Sequence, residues 1–294
     1  MAPKTTAGPA TAESSSGYGP PVRLGTVDDP DVTESSGLVA SRRNPGLYWT
    51  HNDSGDGPFL YCIDGRGSAC GAWRVSGADA VDWEDIAAGP GPDPATPYLY
   101  VGDIGDNLGD RRQIVVYRVP EPVVDRAAPP PAKASPGLTA LAEALTLRYP
   151  DGPHDAEALL VHPRTGDVYI VVKEPSPKVY VARAPIESSV TRTLQEVATL
   201  PVGGPAPFNL VTGGDIAPDG RRVALCTYGD GYELRLPDDA PSFDAIWTQP
   251  LVPLTLGVRA QGEGIAYRLD GRALLTTSER PGGLADPLQQ IEQR

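Results

Sequence analysis

Five times along the chain an acidic residue heads a short apolar run. A turn and a second strand-like run ending in polar residues follow each time. The acidic heads are Glu34, Glu84, Glu157, Asp215 and Glu263, and the second runs begin at Leu47, Leu99, Val168, Val223 and Ala273. The first apolar anchors are Leu38, Ile86, Leu159, Ile216 and Ile265, at intervals of 48, 73, 57 and 49 residues. Several short strands recurring every 40 to 50 residues or so are the signature of a β-propeller. Third runs start at Phe59, Ile114, Val179, Tyr232 and, weakly, Leu288, and fourth runs at Ala72, Ala144, Val197 and within residues 246–258. The fifth unit ends after its third run. Its missing strand is supplied by Val22-Arg23-Leu24-Gly25-Thr26-Val27: 29 residues follow Ile265 and 16 separate Val22 from Leu38, together one repeat. The expectation is an all-β fold, a five-bladed β-propeller whose N-terminal strand closes the last blade and removes the open sheet edges.

The long interval carries a Pro/Ala-rich insertion at about residues 125–137, expected on the surface, with a helical turn over Leu138 to Leu145. It contains no acidic-apolar phrase, so it does not hide a sixth blade. Residues 1–20 are rich in Ala, Thr, Ser, Gly and Pro and read as a disordered tail; residues 21–294 form one domain. The tail has no apolar h-region, so no signal peptide is expected, which fits a cytoplasmic protein or a trimmed secreted one.

The chain has 294 residues, with 33 Gly and 33 Pro suited to many tight turns. Its formal charge of −13 provides no basic stripe for phosphates and argues against a nucleic-acid partner. No apolar run approaches the roughly 20 residues that cross a bilayer, so no membrane partner is expected. A small-molecule substrate and a monomer are. Three cysteines leave the redox compartment open. Cys62 and Cys70 flank a turn on neighbouring strands, where a disulfide is geometrically conceivable, although two ordinary small residues is the simpler reading. Cys226 falls mid-strand.

Propeller topology concentrates the acidic motifs. If strands are named A to D from the channel outward, the D-to-A and B-to-C connections emerge on one face. The acidic head of each strand A would point to the axis at that mouth. Like charges so close must protonate or find a cation. A hard cation with six to eight oxygen ligands, Ca²⁺, is the natural partner. Glu84, Glu157, Asp215 and Glu263 are the candidate ligands, with Glu34 further from its anchor. His154, His51, Asp53 and Lys173 are the catalytic candidates, the histidines for acid–base work near neutral pH. Trp83, Asp106, Asn107, Tyr228 and Glu279 are expected to line a substrate pocket. The opposing reading is turn chemistry for the loop acids and a salt-bridge or hydrogen-bond network for the strand-A set. The chain has no G-x-S-x-G elbow, P-loop, H-E-x-x-H, G-x-G-x-x-G or CxxC, which disfavours a serine nucleophile.

The phrases Glu34-Ser35-Ser36-Gly37-Leu38, His51-Asn52-Asp53-Ser54-Gly55-Asp56, Val81-Asp82-Trp83-Glu84-Asp85-Ile86 and Gly102-Asp103-Ile104-Gly105-Asp106-Asn107 resemble a widespread group of largely uncharacterised bacterial β-propeller proteins. So do Asp155-Ala156-Glu157-Ala158-Leu159 and Gly214-Asp215-Ile216-Ala217. The group is more distantly similar to SdiA-regulated and phytase-like esterase propellers. The resemblance runs from Glu34 to Glu279. It implies the fold and, by analogy with calcium-centred propellers, a central Ca²⁺ held by Glu, Asp and Asn of the top face; fold analogy does not fix a reaction. Asp215 departs from the Glu of the other blades. The functional expectation is a calcium-dependent enzyme hydrolysing an ester, lactone or phosphoester. The alternatives are a lyase, isomerase or cyclase using paired carboxylates, and a non-catalytic binding propeller stapled by its ion.

Overall fold

A computed structural model describes residues 17–280 and 286–294. Its sheets form a five-bladed propeller. Blade 1 comprises β2 (Ser35–Ala40), β3 (Leu47–Asn52), β4 (Phe59–Asp64) and β5 (Ala69–Ser76). Blade 2 comprises β6 (Trp83–Pro90), β7 (Pro97–Asp103), β8 (Ile114–Pro120) and β10 (Glu143–Arg148). Blade 3 is built from β11 (Ala156–Val161), β12 (Val168–Val172), β13 (Lys178–Ala182) and β15 (Gln195–Thr199). Blade 4 has β16 (Val211–Ile216), β17 (Arg222–Thr227), β18 (Gly231–Arg235) and β19 (Val252–Leu254). In blade 5, β20 (Gly262–Tyr267), β21 (Ala273–Ser278) and β22 (Pro287–Glu292) are completed by β1 (Val22–Thr26), antiparallel to β22. The N-terminal closure is therefore present.

It starts earlier than expected. Gly19 N donates to Glu292 O at 2.7 Å, and the buried Tyr18 donates its hydroxyl to Glu233 Oε1 at 2.6 Å. Gly17 to Pro20 thus belong to the domain edge; the rest of the expected tail lies outside the described residues.

The inner strands β2, β6, β11, β16 and β20 contact one another in a closed ring. Apart from one half-buried residue each in β6 and β16, these strands are buried along their length, because a neighbouring blade covers each face. The apolar core is divided accordingly. One cluster fills each gap between blades, such as Trp49, Leu60, Ile86 and Val101 between blades 1 and 2, and Leu160, Val171, Leu225 and Trp247 between blades 3 and 4.

The helical turn expected over Leu138 to Leu145 is replaced by two strands. β9 (Gly137–Leu141) runs parallel to β5 and covers the outer edge of blade 1, and β10 follows as the outer strand of blade 2. Only Thr139 of β9 is buried, while Leu138 and Leu141 face solvent, so there is no apolar helical face to pack. What holds the segment is backbone demand at a sheet edge. Ser76 N donates to Thr139 Oγ1 at 3.0 Å and Ala142 N to Ser76 O at 2.8 Å. A second short strand, β14 (Arg192–Thr193), covers blade 2 in the same way.

Candidate functional site

Every strand A enters the channel through a β-bulge. The register shifts between Ser35 and Gly37, Trp83 and Asp85, Ala156 and Ala158, Val211 and Gly213, and Gly262 and Ile265. A bulge leaves one residue without a cross-strand partner and re-aims its side chain. The equivalent residues are Ser36, Glu84, Glu157, Thr212 and Glu263. The expected ring of five carboxylates is therefore a ring of three, with hydroxyls in blades 1 and 4. Those hydroxyls clamp the next blade: Ser36 Oγ donates to Glu84 O at 2.7 Å, and Thr212 Oγ1 to Gly262 O at 2.8 Å.

Asp215 and Glu34 leave the expected ring. Asp215 lies three residues past the bulge, inside the channel, where its carboxylate accepts from Tyr267 N at 2.8 Å. Burial pushes it up to about 7, against the pull of the Tyr267 amide and the Arg42 charge. Glu34 precedes its strand and is exposed, bridging in backbone register to Glu279.

Around Glu84 the mouth is densely acidic. Carboxylate oxygens of Asp53, Asp82 and Glu84 all lie within 4.8 Å of one another. Glu84 is 3% exposed, and among the described residues no hydrogen-bond donor reaches its carboxylate. Burial pushes it well above the usual carboxylate range, and Asp53, Asp82, Glu263 and Asp155 add to the rise. Burial likewise raises Asp82, with Asp53 and Asp155 contributing. The loop after β7 closes over this group at Gly105, where a Cβ would stand 2.0 Å from Glu84 Oε1 and 2.5 Å from Asp82 Oδ2. Only glycine permits that approach.

Glu157 is held differently. Lys173 Nζ is ion-paired with its Oε1, while the buried Oε2 has no hydrogen-bond partner among the described residues. The Lys173 ammonium also stands 5.4 Å from the centre of the Tyr228 ring. Burial raises the Tyr228 phenol, helped by Glu263, Glu279, Glu84 and Asp155, so this half-buried ring faces the acidic mouth. Glu263 and Glu279 are hydrogen-bonded carboxyl to carboxyl. Two carboxylates cannot bond in this way unless one holds a proton. Glu263 is pushed up chiefly by burial and then by Glu279, and burial raises Glu279 as well, so the pair shares a proton.

Other expected residues have different work. His51 is fully buried, with Nδ1 donating to Asn52 O at 2.8 Å and its ring edge-on to Trp83, 5.7 Å between centroids. Burial lowers it, so it is neutral and shut away from solvent rather than poised at the mouth. His154 has both nitrogens engaged, Nδ1 by Glu174 at 2.9 Å and Nε2 by Asp151 at 3.1 Å. Trp83 is core: its Nε1 donates to Asp79 O at 2.9 Å and its ring packs between blades 1 and 2. Asp106 organises its own loop by accepting from Asp110 N at 3.0 Å and Arg111 N at 2.9 Å, and Asn107 is exposed.

Three residues that had no assigned role matter. Asp82 completes the triad. Asp155 accepts from Asp106 N at 2.8 Å and raises its acidic neighbours. Asp85 sits in the channel, receiving Ile86 N at 2.8 Å, Leu159 N at 2.9 Å and Gly214 N at 3.2 Å, and so ties blades 2, 3 and 4 together. Asp82 stands two residues before Glu84, a strand period that could have pointed to it; no local signal marked Asp85.

Fold and site together define a five-bladed propeller with an acidic channel mouth. Compared with known proteins, the chain matches no protein-family model and no curated protein.

Proposed function

We propose that the mouth holds a divalent cation, Ca²⁺ by its oxygen chemistry, and that the protein is a metal-dependent enzyme hydrolysing an ester, lactone or phosphoester of a small molecule. One observation carries this reading. Glu84 is a buried carboxylate, without a donor among the described residues, packed against Asp53 and Asp82 within 4.8 Å. Such a group must take up a proton or a cation. The donor set fits a hard cation: all three side chains offer oxygen, and the Gly105 cradle leaves the space beside them clear of a side chain. Asp53, Asp82 and Glu84 would hold the ion, which would polarise a substrate oxygen. Glu263 and Glu279, sharing a proton, are the acid–base groups within the mouth. Lys173, held by Glu157 above Tyr228, supplies a positive charge on the rim.

That proton-sharing pair also favours a second reading, a lyase, isomerase or cyclase that uses two carboxyls of divided acidity. The test is metal analysis and calcium titration, with thermal unfolding in the presence and absence of a chelator, on wild type and Glu84→Gln. One bound ion per chain, a midpoint that falls on chelation, and loss of both in the variant are expected. A wild-type protein that binds no ion and is indifferent to chelator would end the metal reading. A Glu84→Gln variant that keeps its ion would move the site elsewhere. An ester, lactone and phosphoester panel then separates hydrolysis, abolished by Glu279→Gln, from a binding role with no turnover.

A further inference from the structure

Away from the channel, the three cysteines divide into one that is walled in and two that the strand register places side by side. Cys226, buried in β17, donates its thiol to the Glu263 carbonyl at 2.7 Å. Cys62 in β4 and Cys70 in β5 are free thiols, Cys62 inside the apolar cluster between blades 1 and 2 and Cys70 packed against that cluster, its Sγ donating to Ser68 O at 3.5 Å. The strand register brings them together. Cys62 pairs with Gly71 and Ile63 with Ala69, which makes Cys70 the extra residue of a bulge. Two residues of a bulged strand face one on its partner, so Cys70 and Gly71 share the place opposite Cys62. Gly71 has no side chain to compete for it. Its φ is 127°, and a Cβ there would meet Pro131 Cδ at 2.6 Å.

The two sulfurs differ in access: Cys62 is buried, whereas Cys70 is partly exposed. The neighbouring Cys62 pushes the Cys70 thiol down, burial opposes and Arg126 helps; the neighbouring Cys70 and burial push Cys62 up. The accessible thiol is thus the one a dissolved disulfide reaches first, and the buried one is placed to resolve.

From this bulge register and shared packing we infer that Cys62 and Cys70 are a redox-active pair that closes to a cross-strand disulfide on reaction with a low-molecular-weight disulfide such as oxidised glutathione. The Cys70 thiolate attacks one sulfur of the reagent. The reagent S–S bond breaks, one glutathione thiolate leaves, and Cys70 carries the other half as a mixed disulfide. Cys62 then gives its proton to solvent, attacks Cys70 Sγ and expels the second glutathione. Two protein thiols are oxidised and one reagent disulfide is reduced to two thiols. The new bond would fix the bulge where the Pro/Ala-rich insertion docks, Ala72 N donating to Pro131 O at 2.8 Å. This inference is independent of the channel mouth.

The folded full-length chain is incubated with oxidised glutathione, quenched with acid, denatured and alkylated, then read by intact mass and peptide mapping. Of the three cysteines, only Cys226 should take the alkyl group, with a linked Cys62–Cys70 peptide and loss of two hydrogens. Cys62→Ser should stop at a glutathione adduct on Cys70, and Cys70→Ser should stay unmodified, because the remaining thiol at this site is buried. Three alkylated cysteines after exposure would overturn the inference. So would a wild-type adduct on Cys70 that never closes, or a link that includes Cys226.

Discussion

Glu121, on the face away from the mouth, and Glu84, at the mouth, are withdrawn from water to a similar degree, 1% and 3% exposed. Glu121 accepts from Ser41 Oγ, from Trp49 Nε1 at 2.8 Å, from Asn44 Nδ2 at 3.4 Å, and from the backbone amides of Arg42 and Arg43, both at 3.1 Å. It replaces its lost hydration completely and fastens the start of the blade 1 turn to blade 2. Glu84 meets other carboxylates instead. Burial alone therefore does not distinguish a structural acid from a functional one; the supply of donors does. Asp85 and Asp215, deeper in the channel, stand between the two, since each is met by backbone amides yet is still raised by burial.

The sharpest way to break this contrast is to remove the satisfied group. Glu121→Ala leaves buried donors without an acceptor and should cost about 3–5 kcal/mol in denaturant unfolding. A loss below about 1 kcal/mol would show that the network is not what holds blades 1 and 2.

Asp215 tests the intermediate case through pH. Its folded value, about 7, stands above the ordinary 3.8. The folded state therefore holds the extra proton. Stability is full below the unfolded value and falls as pH rises through the folded one. Asp215→Asn keeps an acceptor for Tyr267 N and carries no charge. It should flatten the stability profile between roughly pH 4 and 7, with a difference approaching about 2–4 kcal/mol at neutral pH. Parallel wild-type and variant profiles would show that this carboxyl does not titrate anomalously.

At the mouth the sign reverses relative to Glu121. Glu84→Gln in chelator-treated protein replaces a carboxyl that must otherwise take up a proton or repel Asp53 and Asp82. It should raise stability by roughly 1 kcal/mol, the scale of a screened like-charge contact. Destabilisation of the cation-free protein would place Glu84 with Glu121 after all and make the comparison collapse.

The legibility of the site follows the bulges. Glu84, Glu157 and Glu263 each stand two residues before the apolar anchor of their strand, and the register confirms that they are equivalent. Blade 4 misled the alignment because Asp85-Ile86-Ala87 recurs as Asp215-Ile216-Ala217. In blade 2 that tripeptide starts one residue past the bulge, in blade 4 three residues past it. A shift of two keeps the side chain on the same face but moves it roughly 7 Å along the channel. Sequence similarity thus recognised the face and missed the depth. The same limit applied to His51 and Trp83, whose position at a strand end looked like exposure at the mouth until a neighbouring blade covered them.

The sequence by itself determined the five-fold repeat, the closure by an N-terminal strand and the acidic character of one face, because strand period, turn residues and charge are local properties of the chain. Tertiary structure decided which acids meet donors, which meet each other, and which thiols lie side by side. Those outcomes depend on packing between blades and on single-residue bulges, where one extra residue turns a side chain from one partner to another without changing the pattern along the chain.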